Sequence, residues 1–269
     1  MSDAGRVTIT VNDREIVGRL HQPLVEALRD AGIAVPTLCH HPALSAVGAC
    51  RLCVVEVTRP KGKTRLTTSC DFPVLPGLTV RTDTDWVRRT RRGVLELLVM
   101  LAPGSPEVRD LARDHGVDVD AVDPQGPHRD GERCIRCWLC VRVCTEIVGA
   151  QALGWHGRGT KRRVATPFDD WTDQCIGCGA CAAVCPTNAI HMEEEAAQRF
   201  VQRAGPERLC RYALLGLTPA SVCPNGYQCW RCEVDQRIGD SLREHPALCE
   251  AAIEARATVR SRGEDGGQP

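Results

Sequence analysis

The first thirty residues predict a β-hairpin followed by a short helix. Residues 6–11 alternate between polar and apolar side chains, which is typical of a strand with one buried face. Asn12 and Asp13 favour a turn, and residues 14–20 return as a second strand. The next segment begins at Pro23 and ends just before Gly32, the positions that these two residues prefer at helix ends.

A leucine-rich segment, Trp86–Leu101, predicts a longer helix. Its most apolar part, Val94–Leu101, is interrupted by Glu96 and is too short to span a bilayer. Residues 1–11 lack the basic and apolar pattern of a signal peptide. We therefore expect a cytoplasmic protein without membrane insertion.

Composition points to inorganic centres. Only 4% of the 269 residues are aromatic, whereas 17 are cysteines, and a core poor in large apolar side chains needs other stabilisation. Cytoplasmic thiols stay reduced, so clustered cysteines favour metal ligation over disulfide bonds as their interpretation. The formal net charge is zero, and the short basic runs at Arg88–Arg92 and Lys161–Arg163 are typical of solvated faces or a docking edge. We expect no nucleic-acid binding.

Eight cysteines repeat the spacing C-x2-C-x2-C-x3-C. In this pattern the first three cysteines hold one [4Fe–4S] cluster, and the fourth reaches the other cluster. Pro186 follows the second run, as in bacterial ferredoxins. A zinc site usually needs two separated C-x2-C pairs around one ion, which makes zinc a weaker alternative. The predicted ligand sets are Cys134, Cys137, Cys140 and Cys185 for the first cluster, and Cys175, Cys178, Cys181 and Cys144 for the second.

Four earlier cysteines have a looser version of the plant-type [2Fe–2S] spacing, with gaps of ten, two and sixteen residues. A hairpin, a helix and a ligand-bearing loop are what a β-grasp [2Fe–2S] domain requires. Gly48 and Ala49 keep the loop small, so backbone N–H groups can approach the sulfurs. A zinc site with an irregular gap is the alternative. The predicted ligands are Cys39, Cys50, Cys53 and Cys70.

A third group of cysteines lies near the C-terminus. It resembles a small four-cysteine module found in other redox and glycine-cleavage-like proteins. Its close pair with two outlying cysteines suits zinc or an iron–sulfur cluster, and the residues leave both open. Cys249 remains outside every set as an ordinary thiol. The four candidate ligands are Cys210, Cys223, Cys229 and Cys232.

The order of these motifs resembles a known family. It is similar to the iron–sulfur subunits that share the N-terminal part of the large iron–sulfur subunit of NADH dehydrogenase. Within that group it most resembles the diaphorase iron–sulfur subunit of soluble NAD-reducing [NiFe] hydrogenases. Iron–sulfur regions of NAD-dependent formate dehydrogenases and [FeFe] hydrogenases are similar too. The resemblance covers roughly residues 6–192 and is carried by residues 36–57, 91–99, 133–159 and 175–190.

This resemblance implies an electron-transfer subunit of a multi-subunit oxidoreductase. Electrons would pass between a flavin/NAD(H)-binding subunit near the [2Fe–2S] domain and a [NiFe] hydrogenase near the ferredoxin domain. A formate dehydrogenase is the alternative second catalyst, and a redox- or metal-sensing interaction module is an alternative of another class. We expect no substrate site on the chain, because it has no dinucleotide fingerprint and no recognisable nucleophile set.

One departure from the family stands out. Its members place H-x3-C-x2-C-x5-C after the leucine-rich helix to hold a further [4Fe–4S] cluster. Here no cysteine occurs between Cys70 and Cys134, and His115 is the sole histidine in residues 102–124. We therefore expect the histidine-ligated cluster to be absent.

Together these features predict an α+β protein with five segments. A β-grasp plant-type [2Fe–2S] domain comes first, then a helical linker, a ferredoxin domain with two [4Fe–4S] clusters, a four-cysteine module and a disordered tail. The predicted bounds are residues 1–82, 83–128, 129–195, 196–250 and 251–269.

Overall fold

The structure is a computed structural model that forms two compact units. The first contains residues 1–138 and 186–189, and the second contains residues 139–185 and 190–269. The predicted tail falls outside the described residues, and the five predicted segment bounds stay a prediction. The parts of the chain that the structure describes are residues 5–122, 132–170, 172–191, 209–214, 217–219, 221–225, 229–241, 245 and 248–249.

The predicted hairpin opens the first unit. Strand β1 (Arg6–Val11) pairs antiparallel with β2 (Arg14–Arg19), with Val11 opposite Arg14. Asn12 and Asp13 both have positive φ, 49° and 65°, as the two central residues of a type I′ turn require. Asparagine and aspartate tolerate this conformation better than other residues with a side chain. The turn therefore fixes the register that the alternation predicts.

A helix and three further strands complete a mixed sheet. They are α1 (Leu24–Asp30), β3 (Val54–Thr58), β4 (Arg65–Thr68) and β5 (Thr79–Arg81). The strand order is β2-β1-β5-β3-β4, so the last strand in sequence lies at the centre of the sheet. Strand β5 is parallel to β1 and antiparallel to β3, which is the topology of a β-grasp domain.

The core of this sheet lies against α1. Gly18 on β2 permits the approach, because an added Cβ there would lie 3.2 Å from the Ala27 Cβ of the helix. Burial of these apolar side chains is the main favourable contribution to the stability of the domain. The buried cluster contains Ile9, Val11, Leu24, Ala27, Leu28, Val55, Val57, Phe72, Val74, Leu78 and Val80.

Two capped helices follow the sheet. The leucine-rich helix α2 (Asp85–Leu101) and helix α3 (Pro106–Asp114) begin after Thr84 and Ser105. Each hydroxyl accepts a hydrogen bond from the backbone N–H three residues later, which satisfies one free donor of the first turn. The Thr84 hydroxyl also donates to the Glu56 carboxylate on β3, so the cap fastens α2 to the sheet.

Glu107 in the first turn of α3 connects this helix to the segments that flank the ferredoxin motifs. Its Oε1 accepts hydrogen bonds from Arg133 (2.8 Å) and Asn188 (2.9 Å). Arg133 also donates from Nε to the Thr187 carbonyl at 2.9 Å. These bonds attach two segments to α3: the residues just before the first cysteine run and the residues just after the second cysteine run.

The second unit consists of short elements. Helix α4 (Leu139–Arg142) continues into a π-helical turn, Val143–Val148, and helix α5 (Ala180–Ala183) packs against both. Strands β6 (Gly154–His156) and β7 (Arg163–Ala165) form an antiparallel pair. No helix among the described residues could cross a membrane. The remaining elements are 3₁₀ turns at Gly159–Lys161, Pro167–Asp169 and Cys229–Arg231 and helices α6 (Arg211–Leu214) and α7 (Glu233–Ser241).

We expect Thr84→Ala to destabilise the first unit by about 1 kcal/mol, because it removes the cap of α2. The loss corresponds to a fall of about 4–8 °C in the unfolding midpoint of a domain of about 60–100 residues. Visible circular dichroism of the [2Fe–2S] cluster during heating of the full chain measures this midpoint. Thr90→Ala in the same helix is the control, since its hydroxyl donates only to the Trp86 carbonyl. Equal midpoints for the two variants would contradict the capping role.

Candidate iron–sulfur centres

The four thiols predicted to hold the [2Fe–2S] cluster are buried in the first unit. Two lie in the loop between α1 and β3, one directly precedes β3, and one follows β4. They are Cys39, Cys50, Cys53 and Cys70, and each is at most 5% exposed.

The structure brings these thiols together. Hydrogen bonds from Cys50 and Cys70 lower the pKa of Cys39 to about 2. The same bonds, together with burial, raise the pKa of Cys50 and of Cys70. A hydrogen bond with Cys70 lowers the pKa of Cys53 to about 7, although burial opposes it. Cys39 and Cys53 are therefore favoured as thiolate, the form that binds iron, while Cys50 and Cys70 donate hydrogen bonds to them.

Backbone donors reach this group through a loop of small residues. The Cys50 N–H donates to the Cys39 sulfur at 3.3 Å, and the Ala49 backbone also bonds to that sulfur. Gly48 has φ +56°, and an added Cβ would lie 2.8 Å from the Asp71 Oδ2. Glycine is thus favoured by the backbone conformation, and a larger residue would displace the Asp71 carboxylate. Such donors stabilise negative charge on the sulfurs.

Helix α1 holds the fourth ligand in place. The Val25 N–H at its start donates to the Ser69 carbonyl at 2.9 Å, and the Val25 side chain packs against Cys53 and Cys70. Ser69 donates from its backbone N–H (3.0 Å) and its hydroxyl (2.8 Å) to the Cys53 carbonyl. The segments of these two ligands are therefore fixed to one another.

Arg91 is a buried cation beside this site. It is 6% exposed, and its Nη2 donates to the Val54 carbonyl at 2.9 Å, next to Cys53. Burial lowers the pKa of Arg91, while the charges of Asp83 and Cys53 oppose that fall. The basic run Arg88–Arg92 is thus not uniformly a solvated face. Helical spacing would have revealed this, since residue 91 shares the buried face of α2 with Val87, Leu95 and Leu98.

The second [4Fe–4S] ligand set lies within the second unit. Cys144 is on the π-helical turn, and its sulfur accepts a hydrogen bond from the Ala152 N–H at 3.3 Å. The other three cysteines lie on a tight curl that leads into α5, with Gly177 and Gly179 at positive φ of 64° and 75°. Residues with a side chain rarely adopt this backbone conformation.

The thiols of this set act on one another electrostatically. Burial raises the pKa of Cys181 to about 12, and the charges of Cys178, Cys175 and Cys144 add to the rise. Burial also raises the pKa of Cys178, with contributions from Cys175 and Cys144. Cys144 from the first run is thus close to the three leading cysteines of the second run. This proximity supports the crosswise ligand set without testing which sulfurs share a cluster.

The first [4Fe–4S] set is divided between the two units. Cys134 and Cys137 belong to the first unit, whereas Cys140 and Cys185 belong to the second. The Arg136 N–H donates to the Cys134 sulfur at 3.4 Å. Assignment of these four sulfurs to one cluster stays a prediction.

The third cysteine group also meets in the second unit. Cys210, Cys223, Cys229 and Cys232 line one cavity of about 80 Å³. The His245 Nε2 lies 2.8 Å from the Cys178 carbonyl oxygen, so the C-terminal segment contacts the loop of the second ferredoxin motif.

The donor sets fit iron–sulfur clusters. Each [2Fe–2S] or [4Fe–4S] cluster is held by four cysteine thiolates, and the buried sulfurs with backbone N–H donors supply that environment. No three histidine, cysteine, aspartate or glutamate side chains within the described residues are placed to hold a single metal ion. A cluster spreads its ligands over several iron atoms, so its sulfurs need not converge on one point.

Comparisons with known proteins agree with these assignments of domain type. The model of the 2Fe-2S iron-sulfur cluster binding domain matches residues 4–85, and that of the 4Fe-4S dicluster domain matches residues 128–192. The mitochondrial NADH-ubiquinone oxidoreductase 78 kDa subunit of Neurospora crassa is 30% identical over 207 residues, covering 68% of this chain and 27% of that protein. NADPH-Fe(3+) oxidoreductase subunit alpha of Geobacter sulfurreducens is 30% identical over 204 residues, with 68% and 24% covered.

A solved structure decides the family. One chain in the crystal structure of NAD+-reducing [NiFe]-hydrogenase in the H2-reduced state is 34% identical, with a TM-score of 0.52. The match covers 60% of this chain and 74% of that chain. The chain belongs to the iron–sulfur subunits shared by NADH dehydrogenases and NAD+-reducing hydrogenase.

This iron–sulfur subunit has the expected α+β fold, with a [2Fe–2S] domain followed by a [4Fe–4S] dicluster domain, and its function is electron transfer. It spans about a quarter of the length of the two curated relatives above. The family assignment, the two domain types and the predicted [2Fe–2S] and two [4Fe–4S] clusters are thus confirmed.

We expect Arg91→Gln to lower the reduction potential of the [2Fe–2S] cluster. Reduction adds negative charge to the cluster, and a buried guanidinium near Cys53 stabilises that charge. A redox titration followed by the EPR signal of the reduced cluster gives the potential. Arg92→Gln removes the same charge from an exposed neighbour and is the matched control. A potential that falls equally in both variants, or in neither, would contradict the role of Arg91.

Proposed function

We propose that this subunit conducts electrons between a flavin/NAD(H)-binding subunit and a [NiFe] hydrogenase. The observation that carries the proposal is the match to one chain of an NAD+-reducing [NiFe]-hydrogenase over 74% of that chain. The order of the two domain models, [2Fe–2S] before [4Fe–4S], agrees with such a relay. Each cluster transfers one electron at a time, which joins a two-electron donor to a separate catalyst.

The protein's contribution to this function is the environment of the clusters. Buried sulfurs, backbone donors at Cys39 and Cys144, and the cation Arg91 all act on the stability of an anionic cluster. The polypeptide thereby sets the relative potentials along the path. By resemblance to the family, the [2Fe–2S] domain faces the flavin subunit and the dicluster domain faces the second catalyst.

The proposed path omits the histidine-ligated cluster of the family. Where its motif would stand, α2 ends at Leu101 and α3 begins at Pro106. Ser105 caps α3, and the His115 Nδ1 lies 2.9 Å from the Leu111 carbonyl oxygen, as part of the end of that helix. The missing centre is therefore a branch in this proposal, and electrons pass through the remaining clusters.

We expect Cys50→Ser to remove the [2Fe–2S] EPR signal and to abolish electron flow to or from NAD(H) in the purified native complex. The hydrogenase should still reduce or oxidise an artificial dye, because its own site is untouched. Cys249→Ser, which changes a buried thiol outside every ligand set, should leave both activities unchanged. NAD-linked turnover that survives in Cys50→Ser would exclude this domain from the path.

The crosswise ligand sets can be tested by pairs of substitutions. If Cys144 and Cys178 share one cluster, the double variant Cys144→Ser/Cys178→Ser should lose about four iron atoms per chain, no more than either single variant. Cys140→Ser/Cys178→Ser removes a ligand from each cluster and should lose about eight. Iron analysis gives these numbers, and the [2Fe–2S] EPR signal reports that the first domain is intact. Loss of about eight iron atoms from both double variants would show that each run holds its own cluster.

A further inference from the structure

The cavity lined by the four C-terminal cysteines lies beyond both matched domains. The [4Fe–4S] dicluster match ends at residue 192, whereas the first of these cysteines is Cys210. The proposed relay uses twelve other cysteines and makes no use of this cavity. Its chemistry therefore has to be derived from the surrounding residues.

Local backbone structure brings the four thiols to the cavity in two pairs. Leu209 and Val222 form an antiparallel bridge, and the Cys210 N–H donates to the Ser221 carbonyl at 2.8 Å. This pairing places Cys210 beside the segment that carries Cys223. The second pair, Cys229 and Cys232, lies on the 3₁₀ turn that leads into α7, where the Cys232 N–H donates to the Cys229 carbonyl at 2.9 Å.

Arg211 is a cation that lines the same cavity and is held in place by hydrogen bonds. The Arg211 guanidinium donates to Asp235 (2.5 Å) on α7 and to the Tyr212 hydroxyl (2.9 Å), and that hydroxyl donates to the same carboxylate oxygen (2.5 Å). Among the described residues, the buried Arg211 Nε has no hydrogen-bond partner. Arg211 lines the same cavity as Cys229. The arrangement thus places the Arg211–Asp235 ion pair beside the four thiols.

The size of the cavity distinguishes between zinc and an iron–sulfur cluster, the two alternatives that the sequence leaves open. In a tetrahedral zinc site the four sulfurs lie about 2.3 Å from one ion, which leaves no space among them. Among the described residues, no three cysteine, histidine or carboxylate side chains are placed to hold a single metal ion. Here the four thiols, together with residues such as Tyr212 and Val234, line a cavity of about 80 Å³, several times the roughly 10–15 Å³ that one water molecule needs. That volume suits an inorganic core of several iron and sulfide atoms.

We propose that Cys210, Cys223, Cys229 and Cys232 hold a fourth iron–sulfur cluster, in a pocket whose wall includes Arg211. This site goes beyond the proposed function, which twelve cysteines satisfy. It makes the C-terminal module a redox centre in its own right. A purely structural zinc module has no electron to exchange.

The test compares Cys229→Ser/Cys232→Ser with Cys249→Ser in the full chain, purified without oxygen. Iron, acid-labile sulfide and zinc are measured per chain, and EPR of the reduced protein follows the other clusters. We expect the double variant to lose two to four iron atoms with an equal amount of sulfide. Cys249→Ser should keep the wild-type content. The [2Fe–2S] signal should remain in both variants.

The unmodified chain gives a second measurement that does not depend on the folding of a variant. One [2Fe–2S] and two [4Fe–4S] clusters supply about ten iron atoms, so a fourth cluster requires more than ten. Ten iron atoms with one zinc, or zinc lost from the double variant at constant iron, would overturn the proposal. Unchanged iron, sulfide and zinc in the double variant would do so as well. None of these outcomes affects the proposed relay, which fails only if its own three clusters are missing.

Discussion

Burial of thiolates is the constraint on which the rest of this structure depends. A charged group removed from water is costly unless a metal, a counter-ion or hydrogen bonds compensate for it. The [2Fe–2S] site has all three kinds of compensation available: thiolates for iron, backbone N–H groups aimed at Cys39, and the guanidinium of Arg91. Gly48 favours the hydrogen bonds from the backbone N–H groups to Cys39, since a side chain at residue 48 would meet Asp71. Loop, helix and sheet are therefore organised around the sulfurs.

The same constraint explains why the chain needs so few large side chains. A structural metal site contributes folding free energy, because the unfolded chain does not hold the ligands together. In the second unit the described helices and strands are short, and Cys178 lies between two glycines at positive φ, Gly177 and Gly179. Such elements have little stability alone. Ligand bonds to iron take the place of an extended apolar core.

Sequence patterns predicted the local features and the ligand groups, because both are encoded by neighbouring residues. Alternation and the Asn12–Asp13 turn predicted the hairpin, and the cysteine spacings predicted the two cluster domains that the comparisons confirm. Pairing of β5 with β1 joins residues about seventy positions apart, and no periodicity encodes it. The bonds of Glu107 to Arg133 and Asn188 likewise depend on tertiary contacts. The burial of Arg91 follows from its position on the apolar face of α2. A charged residue within a basic run gives little sign of burial unless its helical face is considered.

The central position of β5 has a consequence for biosynthesis. Strands β1–β2 and β3–β4 are hairpins that form from local contacts, whereas the strand that joins them, Thr79–Arg81, leaves the ribosome last. All four cysteines of the [2Fe–2S] site precede it in the chain. During translation the nascent domain therefore presents its thiols before the sheet can close.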